Sequence, residues 1–431
     1  MLGMALCASH ALLTPAMGQE PGALFSASER AALVSFWNAP GRLVVAPPAG
    51  DRWQVRLTPE GSEWLLAWQR AQGAGKIPPT QTAAPTEGPA AEWDRWVAAR
   101  VEFDRACAQR VADCANGRAA PASLPPHPGP IPQGLLAAVG NPPAFARAVA
   151  PLQHTICFDT GEQFAFLDHV AVRPRYAYYR FPQGVMHAGT PLRSLPEREL
   201  ESLFAEAGMG ASEMRVFRAV SGHEGGFESI NTYDTGYVSV GFIQFACLGG
   251  GGGSLGRLLL HHKLRRPGDF ARDFRRYGVE VSAAAVIVVV DPASGAELAG
   301  PGAARAIIED KRLAAVFRRA GAASRGFAAS QIEAARALYW PGEDGFRVQV
   351  GEREIAGKVS DVVRSEAGLA TLLDRKVNRG SIEPFAEVLA RVMSAHGIAT
   401  LEDARRCERE IIAALRYRED YLANPGLSQP P

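Results

Sequence analysis

Two carboxylate residues, Glu224 and Asp234, lie ten positions apart in the segment from Val216 to Ala246, VFRAVSGHEGGFESINTYDTGYVSVGFIQFA. Two carboxyl groups on opposite sides of a groove are the minimal apparatus for hydrolysing a glycosidic bond, because one protonates the leaving oxygen while the other acts as base or nucleophile. The segment therefore predicts an acid–base site for a sugar polymer that needs neither a metal nor a cofactor, provided that the surrounding elements bring the two side chains together.

The residues before Glu224 predict the helix that positions it. Apolar residues recur every three or four positions over 214–220, Ser212 is a suitable N-cap, and the helix is predicted over 212–224. Glu224 continues this stripe to the edge of the core, where burial favours the protonated carboxyl group that a general acid needs. Gly225-Gly226 is predicted to end the helix.

The residues around Asp234 predict a hairpin. The stretch 233–237 resembles a turn between strand formers, and 238–242 is predicted to return as a second strand. This hairpin would bring Asp234 back towards Glu224 and place the Ser239 hydroxyl where it can hold a water molecule. The residues expected to bind the sugar are Tyr233, Tyr237, Phe242 and Gln244, and simple hairpin packing is the alternative for the two tyrosines and the glutamine.

The combination of Glu224, the Tyr-Asp-Thr-Gly-Tyr turn, Ser239 and Gly241 resembles the active-site segment of phage-type lysozymes. The resemblance implies that Glu224 is the acid, that Asp234 is the second carboxylate, and that Ser239 helps to hold the attacking water. Serine stands where that family usually has threonine, and the hairpin is slightly shorter than the family's.

The same segment also resembles lytic transglycosylases and goose-type lysozymes. Residues 224–227, Glu-Gly-Gly-Phe, are similar to their glutamate motif, and residues 241–244, Gly-Phe-Ile-Gln, to their Gly-Leu-Met-Gln. That likeness implies a single catalytic glutamate, with the muramic acid 6-hydroxyl in place of water. Residues 374–380, DRKVNRG, resemble a helix of lysozyme-like muramidases and chitosanases, and we interpret them as core and cap rather than as catalytic residues.

The expected fold class is α+β and mainly α. A lysozyme-like domain over 136–425, with its core in 196–425 and a small β-hairpin at the active-site cleft, follows a Pro-rich linker at 117–135. Residues 19–116 are expected to form a small helical region that is rich in tryptophan, whose indoles we interpret as packing rather than as a sugar platform. The glycine run 249–253 is predicted to be a mobile loop.

The N-terminal residues and the overall charge point to an extracytoplasmic protein that does not bind nucleic acid. Residues 1–18 contain no Lys, Arg, Asp or Glu and end in a small-x-small pattern, so they predict a signal peptide and a secreted or periplasmic location. The net charge of +1 lacks the basic excess of nucleic-acid proteins. No apolar stretch is long enough to cross a membrane.

The function expected from these features is cleavage of peptidoglycan glycan strands, or of a related amino-sugar polysaccharide, by a muramidase-type glycoside hydrolase. Three alternatives stay open: a lytic transglycosylase that uses Glu224 alone, a chitosanase, and a non-catalytic protein that binds the cell wall.

Overall fold

The computed structural model describes residues 23–71, 89–121, 123–170, 180–222 and 224–431. The predicted signal peptide at 1–18 and His223, which adjoins the candidate acid, lie outside the described residues. All statements below concern the described part of the chain.

Helices contribute about 49% and strands about 14%, so the expected mixed class in which helix predominates is confirmed. In chain order the helices are α1 (Ala27–Trp37), α2 (Pro59–Ala71), α3 (Pro89–Ala115), α4 (Gln133–Val139), α5 (Glu197–Glu206), α6 (Ala211–Ser221), α7 (Gly253–Arg265), α8 (Pro267–Asp273), α9 (Pro301–Glu309), α10 (Lys311–Ala323), α11 (Arg325–Tyr339), α12 (Glu366–Arg379), α13 (Phe385–Ala395), α14 (Leu401–Ala404) and α15 (Glu408–Ala414). Among these helices, none combines the length and the apolar character that crossing a membrane requires.

The strands form small antiparallel sheets. They are β1 (Leu43–Ala46), β2 (Gln54–Leu57), β3 (Ala146–Val149), β4 (Gln153–Cys157), β5 (Gln163–Leu167), β6 (Met186–His187), β7 (Ile230–Asn231), β8 (Ser239–Val240), β9 (Phe245–Ala246), β10 (Val279–Val281), β11 (Ile287–Val290), β12 (Glu297–Ala299), β13 (Gly345–Val350) and β14 (Arg353–Lys358). The sheets have the orders β1-β4-β5, β2-β3, β6-β7-β8-β9, β10-β11-β12 and β13-β14. The apolar run that includes β11 is followed by a turn, and β11 pairs with β12 as a hairpin.

Residues 19–116 were expected to form a helical region. The described part of this region also contains two strands, β1 and β2. These strands pair with β4 and β3, which lie beyond the linker at 117–135. Trp37 at the end of α1 is buried in the main hydrophobic core together with residues of α6 and α10. The Pro-rich stretch therefore connects parts of the chain that share backbone hydrogen bonds and core contacts.

Tryptophan burial agrees with the interpretation that these residues pack. Trp37, Trp64, Trp68 and Trp96 are all buried. Trp64 and Trp96 lie in a smaller core that also contains Tyr233 from the candidate site. Indole packing thus fixes one side of the turn that carries Asp234.

The glycine run 249–253 is a packed turn rather than a mobile loop. The Ile287 amide donates to the Gly251 carbonyl at 2.8 Å. A Cβ atom at Gly251 would overlap the Gly300 backbone, and the φ angle of 70° at this position also favours glycine. Glycine is therefore needed at position 251, because two backbones approach closely there.

Two cores sit on either side of α12. The larger core includes the apolar residues of α6 and of the sheet β6-β7-β8-β9, and a second core fills the space between β13-β14, α13 and α15. α12 contributes Leu373 to the first core and Leu372 to the second. This position between the cores places α12 beside the end of α6, where the candidate acid lies.

Candidate active site

Glu224 follows the end of α6 by three residues. The helix runs over Ala211–Ser221 with Gly210 as its N-cap, so the prediction that it starts at a Ser212 cap and ends at Glu224 was wrong at both ends. The amides of Glu224 and Gly225 both donate to the Ser221 carbonyl, at 3.0 and 3.1 Å. Glu224 therefore sits in a tight turn directly after the helix.

The glycine pair after Glu224 lets the chain pass under the loop that follows β6. The Gly226 amide donates to the Ala188 carbonyl at 2.8 Å. A Cβ atom at Gly225 would lie 2.6 Å from the same carbonyl oxygen, and one at Gly226 would overlap Thr190. Larger residues here would push the loop away and move Glu224 with it.

A cavity of about 310 Å³ opens beside Glu224. It is lined by Met186, His187, Ala188, Pro191, Ser221, Gly222, Glu224, Gly225, Ile230, Asn231, Tyr233 and Gln244. The Glu224 side chain is 11% exposed, so the carboxyl group reaches the cavity while most of the side chain is covered. The turn after α6 forms one side of this cavity and the sheet β6-β7-β8-β9 forms the other.

Asp234 lies in the turn between β7 and β8, as the predicted hairpin requires. The hairpin is held by the register Ile230↔Val240 and Asn231↔Ser239. The carboxylate accepts hydrogen bonds at 2.8 Å from the Asn231 side chain and at 2.8 Å from the Gly236 amide. A hairpin with Asp234 in its turn is thus present, but the returning strand spans only Ser239–Val240 rather than the predicted 238–242.

The surroundings of Asp234 raise the pKa of its carboxyl group above the ordinary value of 3.8. Burial is the main cause, and the negative charge of Glu224 adds to it, although the two hydrogen bonds act in the opposite direction. The charge of Glu224 is thus a smaller cause of the raised pKa than burial, and Asp234 itself is not among the residues that line the cavity.

Glu224 also contacts Asn378, which the sequence analysis assigned to core and cap, and Arg418, which it did not select. The Arg418 guanidinium lies 2.5 Å from Glu224 Oε1, and the Asn378 side-chain amide lies 3.4 Å from the same oxygen. Arg418 also bonds Asp374 Oδ1 at 2.5 Å through Nη2 and at 3.0 Å through Nε. Glu224 therefore faces an ion pair and an amide, rather than the purely nonpolar lining that the helix stripe suggested.

The interpretation of residues 374–380 as core and cap alone was therefore incomplete. Gly380 does cap α12 in a left-handed conformation. Asp374 and Asn378, one helical turn apart, both join the network around Glu224, and Asp374 accepts from the Asn378 side chain at 3.1 Å. The i, i+4 spacing in the sequence was the feature from which this shared face could have been predicted.

Ser239 lies on β8, is 5% exposed and is close to the turn of Asp234. A Cβ atom at Gly236 would lie 2.5 Å from Ser239 Oγ and 3.1 Å from Asp234 Oδ1, which places both polar groups over the same glycine. The structure thus brings Ser239 and Asp234 together, and the holding of a water molecule by Ser239 stays a prediction.

The four residues expected to bind the sugar divide into two groups. Tyr233 and Gln244 line the cavity, and the Gln244 amide donates to Ser229 Oγ at 2.7 Å. Tyr237 packs edge-on against Phe181 at 5.0 Å and is not among the lining residues. Phe242 has no exposed surface and packs against other aromatic rings of the core, so its assignment to substrate binding was wrong.

His187 on β6 is a lining residue that the sequence analysis missed. Burial, together with the positive charge of Arg318, lowers the pKa of its imidazole. His187 therefore faces the cavity as a neutral group near pH 7. It precedes Glu224 by 37 positions and joins the site through the pairing of β6 with β7, a pairing that no local pattern predicted.

Comparison with known proteins does not place this chain in a family: no family model, curated protein or solved structure matches it.

Proposed function

We propose that this chain cleaves the glycan strands of peptidoglycan, with Glu224 as general acid and Asp234 as second carboxylate, on a lysozyme-like arrangement of a helix end and a hairpin. The observation that supports it most is the cavity with Glu224 on one wall and the hairpin of Asp234 on the other, within electrostatic reach of each other. Glycoside cleavage of this type requires two carboxyl groups that flank the bond. In the proposal Glu224 acts from the cavity wall, and Asp234 acts from the turn of the hairpin whose Asn231 and Tyr233 line the cavity.

In this mechanism a glycan strand occupies the cavity and Glu224 protonates the glycosidic oxygen that leaves. Asp234 then stabilises the oxocarbenium-like transition state or activates a water molecule held near Ser239. Positive charge develops on the sugar as the bond breaks, so an adjacent carboxylate lowers the energy of the transition state more than that of the ground state.

Arg418 must release Glu224 before Glu224 can donate to a glycosidic oxygen, because the guanidinium occupies Oε1 of that carboxyl group. Arg418 has a second partner, because its Nε and Nη2 atoms both donate to Asp374 Oδ1. A glycan that enters the cavity can therefore displace the Glu224 contact without leaving the guanidinium unpaired. On this account Arg418 and Asn378 orient the carboxyl group, and the bound sugar displaces the Arg418 contact from it.

The lining favours an N-acetylated, uncharged sugar over polycationic chitosan. Among the described lining residues, Glu224 is the only carboxylate, and Asn231, Tyr233 and Gln244 offer neutral hydrogen-bonding groups. A cationic polymer is better matched by a cleft with several exposed acids, since each ammonium group needs a counter-charge. Peptidoglycan is therefore preferred to chitosan as the substrate.

The test is mass spectrometry of the products that the full chain releases from purified peptidoglycan. The wild-type chain is expected to release muropeptides with reducing ends. Glu224→Gln is expected to release none, because the amide keeps the oxygen near Arg418 and Asn378 but has no proton to transfer. Glu343→Gln, at an exposed surface carboxylate, serves as the matched control and is expected to match the wild type.

Each other outcome identifies a competing function. Anhydro ends would indicate a lytic transglycosylase, and turnover of chitosan but not of peptidoglycan would indicate a chitosanase. Binding to cell-wall material without any released fragment would indicate a non-catalytic wall-binding protein. Equal product release by the wild type and Glu224→Gln would refute the assignment of the acid.

A further inference from the structure

Three side chains that are suited to binding a metal ion meet where α13 ends and α15 begins. His396 caps the C-terminus of α13, Cys407 is the residue before α15, and Glu410 lies in the first turn of α15. His396 Nε2 lies 2.7 Å from Glu410 Oε2, and all three potential ligand atoms, including Cys407 Sγ, lie within 4.8 Å of one another. None of the three lines the cavity beside Glu224.

We propose that His396, Cys407 and Glu410 form a binding site for a divalent transition-metal ion of the zinc type. One sulfur, one nitrogen and one carboxylate oxygen suit a borderline-soft ion, whereas Mg²⁺ and Ca²⁺ prefer oxygen ligands only. Three protein ligands leave the fourth tetrahedral position to water. His396 and Glu410 are about half exposed, so an ion and its water have access.

The distances fit such an ion after small side-chain rotations. Bond lengths of about 2.0–2.3 Å place tetrahedral ligand atoms roughly 3.3–3.8 Å apart. The His396–Glu410 pair must open by about 0.6–1.1 Å, and the thiol must approach by at most about 1–1.5 Å. Binding forms a bond from Cys407 Sγ to the metal and releases the thiol proton to solvent, while the imidazole binds through a deprotonated nitrogen.

The position of this site links it to the elements that surround Glu224. Glu408, two residues before Glu410, accepts hydrogen bonds from the Ser365 amide at 3.0 Å and from its hydroxyl at 2.5 Å, at the start of α12. α12 carries Asp374, and the chain beyond α15 carries Arg418. An ion that fixes the start of α15 therefore stabilises the helices that hold this network, without taking part in the cleavage of a substrate.

The site can be tested on the full chain, free of affinity tags and kept reduced, by equilibrium dialysis against zinc followed by elemental analysis. The wild type is expected to retain one zinc ion per chain and to unfold at a higher temperature with zinc than without it. Co²⁺ in place of zinc is expected to give the near-ultraviolet charge-transfer band of a thiolate–cobalt bond.

Cys407→Ser is expected to lose the cobalt band and to bind zinc at least about tenfold more weakly. Cys114→Ser is the matched control, since Cys114 is also a free cysteine but lies on α3, far along the chain from these ligands. Glu410→Gln tests the carboxylate without removing the hydrogen-bonding shape of the side chain. Far-ultraviolet circular dichroism shows that each variant is folded.

The proposal is overturned if the wild type retains no stoichiometric zinc. It is also overturned if Cys407→Ser binds zinc as tightly as Cys114→Ser does, or if the cobalt spectrum lacks the thiolate band. These readouts do not depend on glycan cleavage, so they stand or fall separately from the proposed function.

Discussion

Arg418 connects two carboxylates of very different exposure. The Asp374 side chain is 1% exposed and that of Glu224 is 11% exposed, and both accept from the same guanidinium nitrogen at 2.5 Å. When a buried carboxylate loses its charged partner, most of the free-energy cost of its desolvation is no longer offset. Arg418 thus stabilises the fold through its contact with Asp374, and it orients the carboxyl group of Glu224 through the other contact.

We predict that Arg418→Ala lowers the free energy of unfolding by on the order of 2–3 kcal/mol and slows cleavage mainly through kcat. The reason is that Asp374 becomes an unpaired buried charge and Glu224 loses the group that orients it. Denaturant unfolding and steady-state kinetics on soluble glycan fragments measure the two effects.

Arg416→Ala is the control for Arg418→Ala, because Arg416 is more than half exposed and pairs with Asp420 at the surface. A surface pair of this kind contributes at most about 1 kcal/mol. If the two arginine variants behaved alike, the network around Asp374 would have no special role.

Asp234 gives a prediction about pH. Its pKa lies above the ordinary value, so the group is protonated at low pH and ionises as the pH rises through a value higher than 3.8. If the ionised form is the active one, the acid limb of kcat/KM should lie above the range of an ordinary aspartate, and Asp234→Asn should remove that limb and reduce kcat/KM by about 10²–10³-fold. Near-full activity of Asp234→Asn would favour a transglycosylase.

At the scale of elements, the Glu333 carboxylate in the middle of α11 binds side chains at the C-terminal end of α7. Glu333 bonds Arg266 at 2.8 Å and His261 at 2.6 Å, and these contacts, which outweigh the effect of burial, lower its pKa from 4.5 to about 2. Because the pKa in the folded chain is the lower one, this stabilisation is complete above pH 4.5 and is lost as the pH falls towards 2.

We therefore predict that the wild type loses stability between pH 4.5 and about 2, and that Glu333→Gln shows a flatter dependence over that window. Urea unfolding at a series of acidic pH values measures it. Glu343→Gln removes a surface carboxylate and is the control, so its stability should depend on pH as steeply as that of the wild type. An equally steep dependence in Glu333→Gln would contradict the prediction.

Some elements were predictable because a local pattern fixes them. The helices near 197–206, 253–265 and 325–339 follow apolar periodicity, and the strand at 287–290 follows a run of β-branched residues. Residues 301–323 form two helices, α9 and α10, rather than one, because Asp310 has an extended backbone and caps α10 by accepting from the Arg312 amide. Two short helices, α14 and α15, lie within 401–414, and the segment with Arg418 follows them without helix or strand structure.

At the scale of the molecule, the N-terminal helix belongs to the main core. The Trp37 indole is 1% exposed, donates to the Tyr277 carbonyl at 3.1 Å and lies edge-on to Phe158 at 5.7 Å. Because these contacts join residues that are 121 and 240 positions apart, we expect these parts of the chain to unfold together.

Trp37→Ala is predicted to lower the free energy of unfolding by about 3–5 kcal/mol and to shift a single transition, rather than to create a separate early one. Trp53→Ala is the control, because Trp53 is only partly buried and its recorded hydrogen bonds to Asn116 use the backbone. Unfolding followed by near- and far-ultraviolet circular dichroism tests this prediction. Two separated transitions would instead support the division at 117–135.

The sequence by itself determined the local parts of the candidate site. The apolar stripe of α6, the glycine pair after Glu224 and the turn that presents Asp234 all depend on residues within a few positions of one another, so periodicity and turn chemistry were sufficient to predict them. The sequence also identified tryptophan packing, since large aromatic residues at helical spacing are most often buried.

Only the tertiary structure decided which distant groups surround Glu224. Arg418 and Asn378 lie more than 150 positions after it, and His187 reaches the cavity through strand pairing. The Phe242 side chain is buried because the segment that follows β8 packs in the core. Pairing between strands and packing between helices depend on the whole set of buried surfaces, which no short segment of a sequence contains.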